Sequence, residues 1–254
     1  MPALLYLYMW PPKGIMIAMK ALQENAFALF GVALSEQQMQ QLAAYEALLL
    51  DWNEKINLTA IRDVPGIRAK HFLDSLSCAL AFGLNPPRSL IDVGTGAGFP
   101  GLVLKIAYPG MRLALVESVG KKARFCELVA SELGLADVTV MDIRAEDAAR
   151  LPKHREHYEW ALARAVAQLP ILLEYLLPLA KVGGNVLAQK GETGPAEVLQ
   201  AANALKVLGG KLEKVIPVEL PGVADGRHLV WVRKNHATPT AYPRLAGIPA
   251  KKPL

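Results

Sequence analysis

Three glycines at alternate positions, Gly94, Gly96 and Gly98, follow Leu90, Ile91 and Val93 in the stretch RSLIDVGTGAGFPG at 88–101. Without a Cβ, such residues take turns closed to others and let a ligand approach the main chain. Where a strand turns into a helix, the free N–H groups of the turn face the crevice at the positive helix end. A pyrophosphate clamp would need G-x-G-x-x-G, with its third glycine at position 99. Phe99 stands there, so a dinucleotide is the poorer fit. A second apolar run, RLALVE at 112–117, ends on Glu117. An acidic residue about twenty positions beyond such glycines is placed to accept hydrogen bonds from a ribose. Taken singly, the turn reads as an ordinary tight strand–helix connection and Glu117 as a solvated loop carboxylate. Jointly they point to a nucleoside-type ligand.

The elements that must position these groups alternate. Strands are expected at 89–93, 112–117, 138–141, 159–163 and 184–189, with helices at about 99–107, 120–133, 168–180 and 194–208. That order implies right-handed crossovers and a parallel, doubly wound sheet. The end departs from it: 211–219 and 228–233 are strand-like and joined by PGVADGR, a hairpin-type connection. Before residue 84 the pattern is helical. Ser35 with Gln38 forms a capping box for one helix, and a further helical segment spans 63–83. The G-x-G-x-G loop after Asp92, with the final hairpin, resembles class I S-adenosyl-L-methionine-dependent methyltransferases. The fold expected is therefore α/β, a Rossmann-like, mostly parallel sheet with an antiparallel C-terminal hairpin and a helical N-terminal cap.

Composition sets outer bounds. At 254 residues and 52% hydrophobic content the chain can bury a core, and it reads as one domain with appendages. A net charge of +5 is compatible with a polyanionic partner. Cys78 and Cys126 lack metal-ligand spacing and read as reduced and buried, and no metal is expected. No apolar run is long enough to span a membrane, and the protein reads as cytoplasmic and monomeric. The start, MPALLYLYMWPPKGI, lacks a basic opening and a cleavage site, so residues 1–19 are expected to be a disordered leader. The cap is assigned to 20–83, the cofactor-binding domain to 84–236 and a basic, proline-rich surface tail to 237–254.

Several blocks together carry a closer resemblance: WNEKINLTAIRD at 52–63, KHFLDSL at 70–76, LIDVGTGAGFPG at 90–101, ESVGKKARF at 117–125, RAED at 144–147, ARA at 163–165, QKG at 189–191, GRHLV at 226–230 and YPRLAGIPAKKPL at 242–254. From about residue 20 onward the chain resembles the glucose-inhibited division protein B family, methyltransferases of guanine N7 in small-subunit (16S) ribosomal RNA. Glu117 stands where many relatives have Asp. The resemblance implies a cofactor site of Gly94, Thr95, Gly96, Gly98, Phe99, Glu117, Ala145, Glu146 and Arg164. It implies 16S RNA or the small subunit as partner. Arg227 and Lys190 are expected on the substrate side, with Asn57, Arg68 and His71 as further candidates there; His71, among Phe72, Leu73 and Leu76, reads equally as a satisfied core histidine.

Guanine N7 has an in-plane lone pair and no proton to lose, so its methylation needs no general base. Alignment of the reacting atoms is the main demand, and orientation contributes roughly 7–11 kcal/mol in such cases. For RNA affinity the candidates are Lys121, Lys122 and Arg124, then Arg244, Lys251 and Lys252 in the tail, with Arg227, Arg233 and Lys234 completing a basic surface. Two rival readings follow: a non-catalytic RNA-binding assembly factor on the same fold, and a methyltransferase of a small molecule or protein.

Overall fold

The computed structural model describes residues 13–83 and 85–254. Helices α1 (Lys13–Phe30), α2 (Glu36–Asn53), α3 (Val64–Ile67), α4 (Asp74–Leu76) and α5 (Ala79–Phe82) form the cap. Ser35 and Gln38 cap α2 reciprocally, as their spacing predicts. Between α3 and α4 the chain winds into a π-helical turn, Arg68–Leu73. Such turns are rare and concentrate at functional sites. The leader expectation needs correction at its end. Residues 1–12 lie outside the described region, but α1 already begins at Lys13, and Met19 is fully buried.

Seven strands follow: β1 (Ser89–Val93), β2 (Arg112–Val116), β3 (Val138–Met141), β4 (Tyr158–Arg164), β5 (Ala180–Lys190), β6 (Gly210–Leu220) and β7 (Val223–Lys234). Their order in the sheet is β3-β2-β1-β4-β5-β7-β6. The pairs from β3 to β5 are parallel, whereas β7 runs antiparallel to both β5 and β6. Helices α6 (Gly101–Ala107), α7 (Gly120–Glu132), α8 (Ala145–Ala148), α9 (Leu169–Leu176), α10 (Gly194–Gln200) and α11 (Ala202–Leu208) fill the crossovers, and α12 (Ile248–Lys251) lies in the tail. The helix expected over 194–208 is thus two helices, broken at Ala201.

The period-two geometry of the strands divides the core in two. Leu90, Leu113, Leu115, Leu162, Leu187 and Leu229 face the cap together with α6 and α7. Ile91, Val93, Ala114, Ala161, Ala163, Val186 and Val230 face α9 and α11. A parallel sheet covered on both faces needs apolar residues on both, which is why β1 and β2 read as continuous hydrophobic runs. Cys78 and Cys126 are free and buried. Among the described residues no helix is long and apolar enough to cross a membrane.

The tail differs from an extended surface segment. Arg244 forks onto the fully buried Glu174 of α9, with its Nη2 at 2.6 Å and its main-chain N–H at 2.8 Å. Arg155 donates to the carbonyls of Tyr242 and Thr238, each at 2.7 Å. The prolines limit regular helix but do not prevent docking, because side chains of the domain satisfy the tail's main chain.

Candidate active site

The glycine loop is organised from below by Asp92. Its Oδ2 accepts the Thr95 hydroxyl at 2.6 Å and the Gly101 N–H at 2.9 Å, while Oδ1 has no partner among the described residues. Complete burial raises its pKa to about 7, even though those two hydrogen bonds pull the other way. Beside the loop, Glu117 accepts the Gly96 N–H at 2.9 Å and the Val119 N–H at 2.8 Å, one on each oxygen. Each oxygen keeps further lone-pair capacity for ribose hydroxyls.

The three glycines serve different ends. A Cβ on Gly94 would strike Val166, and one on Gly98 would strike Leu102 and the Tyr45 hydroxyl. Those two are needed for packing. Gly96, at φ +61°, has open space where a Cβ would stand. The gap beside Glu117 is a cradle that a side chain would fill, which fits a nucleoside-bearing cofactor held against the main chain.

Phe99 connects this cradle to the neighbouring cleft. It is buried and stacks on His71 at 4.5 Å between centroids, and the Arg164 guanidinium lies over its ring at 5.2 Å. Arg164 reaches across from the end of β4 to the cap. It donates to Asp74 Oδ2 at 2.7 Å and to the Lys70 carbonyl at 3.1 Å, and lies 3.2 Å from His71 Nδ1. The next residue, Ala165, is held at φ +57°, an uncommon conformation for a residue with a side chain. With Arg164 donating to Nδ1, the proton of His71 sits on Nε2 and faces the Thr59 hydroxyl at 2.7 Å. Burial, and then Arg164, lower the His71 pKa to about 3. A neutral ring with both nitrogens engaged is a spacer between cap and loop, not a proton shuttle.

The cleft itself, about 330 Å3, opens at the ends of β4, β5 and β7 under the π-helical turn. Arg164, Asp74, Gln189, Lys190 and Arg227 line it. Lys190, expected to face substrate, is instead held at 2.7 Å from Glu197 and 2.8 Å from the Ala167 carbonyl. It braces the wall. Arg227 is held more loosely: its nearest carboxylate atoms, on Asp74 and Asp225, are both 3.9 Å away.

Other expected residues lie elsewhere. Arg68 makes two bonds to Glu46, at 2.6 and 2.8 Å, so it ties the π-helical turn to α2 and is not a free substrate group. Asn57 is exposed on the loop after α2, outside the lining of the cleft. Glu146, expected at an adenine, takes the Gly247 N–H of the tail on Oε1 at 2.9 Å. Its other carboxylate oxygen and the main chain of Ala145 and Glu146 are what this turn can offer a ligand. Arg244 is committed to Glu174, whereas Lys251 and Lys252 are exposed. Lys234 is fully buried against Glu156 and the Leu177 carbonyl, so it contributes nothing to a basic surface. Arg233, six residues along β7 from Arg227, lies roughly 20 Å away toward the other end of the sheet. Lys121 and Arg124 are exposed on α7, and Lys122 is half-buried.

Asp74, Gln189 and Ala165 were not singled out by sequence reasoning. Asp74 and Gln189 sit inside the blocks KHFLDSL and QKG, but their partners are distant in the chain. Neither residue type nor spacing signals them.

The description rRNA small subunit methyltransferase G belongs to a family model that matches residues 38–230. A Roseiflexus sp. (strain RS-1) protein named ribosomal RNA small subunit methyltransferase G is 52% identical over 230 residues, covering 91% of this chain and 97% of its own. The protein of that name from Dehalococcoides mccartyi (strain CBDB1) is 48% identical, covering 88% and 95%. In fold, the chain is similar to an O-methyltransferase from Bacillus cereus solved with S-adenosylhomocysteine (TM-score 0.54, 15% identity, 75% and 91% covered). It is likewise similar to a SAM-dependent O-methyltransferase from Thermotoga maritima (TM-score 0.51, 16% identity, 75% and 72% covered). With the sheet order, the glycine cradle and this extent of match, the chain belongs to the rRNA small subunit methyltransferase G family and is an enzyme of the class I methyltransferase fold.

Proposed function

We propose that this protein methylates a guanine N7 of small-subunit ribosomal RNA with S-adenosyl-L-methionine, acting as a monomer in the cytoplasm. The observation that carries the reading is the adjacency of two spaces. The open cradle at Gly96 and Glu117 lies in the same loop as Phe99, whose ring sits under Arg164, and Arg164 lines an arginine-rich cleft at the strand ends. Gly94, Thr95, Gly96, Gly98, Phe99 and Glu117, with the main chain of Ala145 and Glu146, would hold the cofactor, which supplies an electrophilic methyl group on a sulfonium. Arg164 fixes Phe99 and so sets the border between cofactor and acceptor.

The remaining groups suit an acceptor that carries its own lone pair. His71 stays neutral with both ring nitrogens engaged, and Lys190 is paired with Glu197, so neither is poised as a base toward the cleft. Such a site contributes by orienting the reacting atoms. Arg227, with only distant carboxylates, is available to donate to guanine O6 or to a phosphate. Lys251 and Lys252 add sequence-independent phosphate contacts.

The test is incubation of purified protein with radiolabelled cofactor and separated ribosomal components, then mapping of the modified nucleotide. Label on a small-subunit guanine at N7 is the expected result. Label confined to protein or small molecules would favour another acceptor, and no transfer beside intact RNA binding would favour an assembly factor.

A further inference from the structure

We infer that Asp74 reads the target base, accepting hydrogen bonds from the N1–H and 2-amino edge of guanine while Arg227 donates to O6. The inference rests on the guanine reading above and adds the residue that selects the base. Asp74 lies in α4, on the cap, yet it lines the cleft formed by the strand ends. Its two oxygens are unequal. Oδ2 takes Arg164 at 2.7 Å, so the side chain is pinned in orientation. Oδ1 accepts no hydrogen bond among the described residues, and the Arg227 guanidinium lies 3.9 Å from it. The main-chain carbonyl of the same residue receives the Gln189 amide at 2.8 Å and the Ser77 hydroxyl at 2.6 Å. A carboxylate oxygen fixed this firmly, with acceptor capacity left over and a guanidinium nearby, is a preorganised acceptor–donor pair.

Guanine complements that pair. Its N1–H and 2-amino group are donors and its O6 is an acceptor. Adenine reverses both signs, with an acceptor at N1 and a donor at the 6-amino group. It would leave both Asp74 Oδ1 and Arg227 facing like groups, a strong ground for rejection. N7 lies on the other side of O6 from N1, so binding through this edge leaves it unobstructed. The cleft volume of about 330 Å3 is at the small end for ligand sites, suited to one flat ring system.

The experiment compares small-subunit RNA carrying guanosine or inosine at the mapped target. Inosine lacks only the 2-amino group and keeps N1–H, O6 and N7. For the unaltered enzyme, inosine is expected to lower kcat/KM about tenfold, within the range for one lost base-edge contact. In Asp74→Asn the amide oxygen can remain on Arg164 while its NH2 turns to the base. This variant is expected to lose activity on guanosine and to treat the two substrates alike. Its affinity for S-adenosylhomocysteine and its Tm are measured in parallel; affinity near that of the unaltered protein is expected, with a lowered Tm because Arg164 loses its charged partner. Equal rates on guanosine and inosine for the unaltered enzyme would overturn the assignment without any variant. So would a full inosine penalty retained in Asp74→Asn. Absence of N7 transfer to any small-subunit RNA would overturn the underlying reading itself, a result distinct from transfer without base discrimination.

Discussion

Arg227 and Arg244 are both arginines just beyond a strand or turn signal, and both fall in blocks that resemble the same family. Their surroundings make them opposites. Arg244 is forked onto Glu174, which has no solvent exposure, and the tail is clamped again by Arg155 and Glu146. Arg227 stands at the mouth of the cleft with its carboxylates 3.9 Å away. A cation's role here follows from where its counterion is buried. A close, dry partner makes a fastener, and a distant one leaves donors for a ligand.

The comparison is broken most directly at the tail. Arg244→Ala leaves Glu174 buried without its partner, and is expected to cost about 3 kcal/mol or more. Chemical denaturation measures it. A change within about 0.5 kcal/mol, the range of an ordinary surface substitution, would return Arg244 to the free basic surface.

Gly96→Val is the next largest effect, on the cradle side. It should weaken S-adenosylhomocysteine binding at least tenfold by titration calorimetry. The positive φ adds a stability cost of about 1–2 kcal/mol. Gly134→Val is the control, because Gly134 has a similar φ of +62° and open space but lies after α7. It should show the stability cost and keep ligand affinity. Equal affinity losses in both would remove the cradle.

Asp92→Asn tests the floor of the loop through pH. The folded pKa of Asp92 is raised to about 7 from an ordinary 3.8. Between these values the folded state holds the proton and the unfolded state releases it. The unaltered protein therefore loses stability from this group as pH rises from about 4 to about 7, and the loss levels off above that. His71, lowered to about 3, has the opposite slope up to its ordinary 6.5 and masks it. The difference in stability between Asp92→Asn and the unaltered protein cancels His71. It should grow in favour of Asn over that pH window, by up to about 1.4 kcal/mol per pH unit. A flat difference would mean Asp92 is ionised in the folded state.

Arg227→Ala should behave unlike Arg244→Ala: Tm nearly unchanged, methylation of RNA reduced about tenfold, cofactor affinity reduced much less. A tenfold rate loss corresponds to about 1.4 kcal/mol of transition-state stabilisation. Loss of Tm comparable to the tail variant would make Arg227 a second fastener.

The smallest effect is expected from Lys251→Ala/Lys252→Ala, which should leave Tm alone. If each lysine meets a phosphate, the salt slope of RNA binding becomes shallower by about one unit per contact. An unaltered slope would remove the tail from the RNA interface.

Much of the fold was legible because strand periodicity and glycine spacing are local properties. Leu90 and Leu113 alternate with Ile91 and Ala114 between two covered faces, and that pattern alone implies a parallel sheet. Turn chemistry likewise exposes Ser35 and Gln38 as a helix start. The cradle was legible for the same reason: Gly96 and Glu117 lie just beyond the ends of two adjacent parallel strands, so the sheet brings them together, at 2.9 Å. What residue type and spacing left open were the ion pairs. Arg68 with Glu46, Lys190 with Glu197, Arg244 with Glu174 and Asp74 with Arg164 join oppositely charged groups across elements. A basic residue in sequence carries its charge but not its counterion. Burial and Coulomb attraction between distant segments choose that partner, so tertiary structure alone decided which cations fasten the protein and which remain for its ligand.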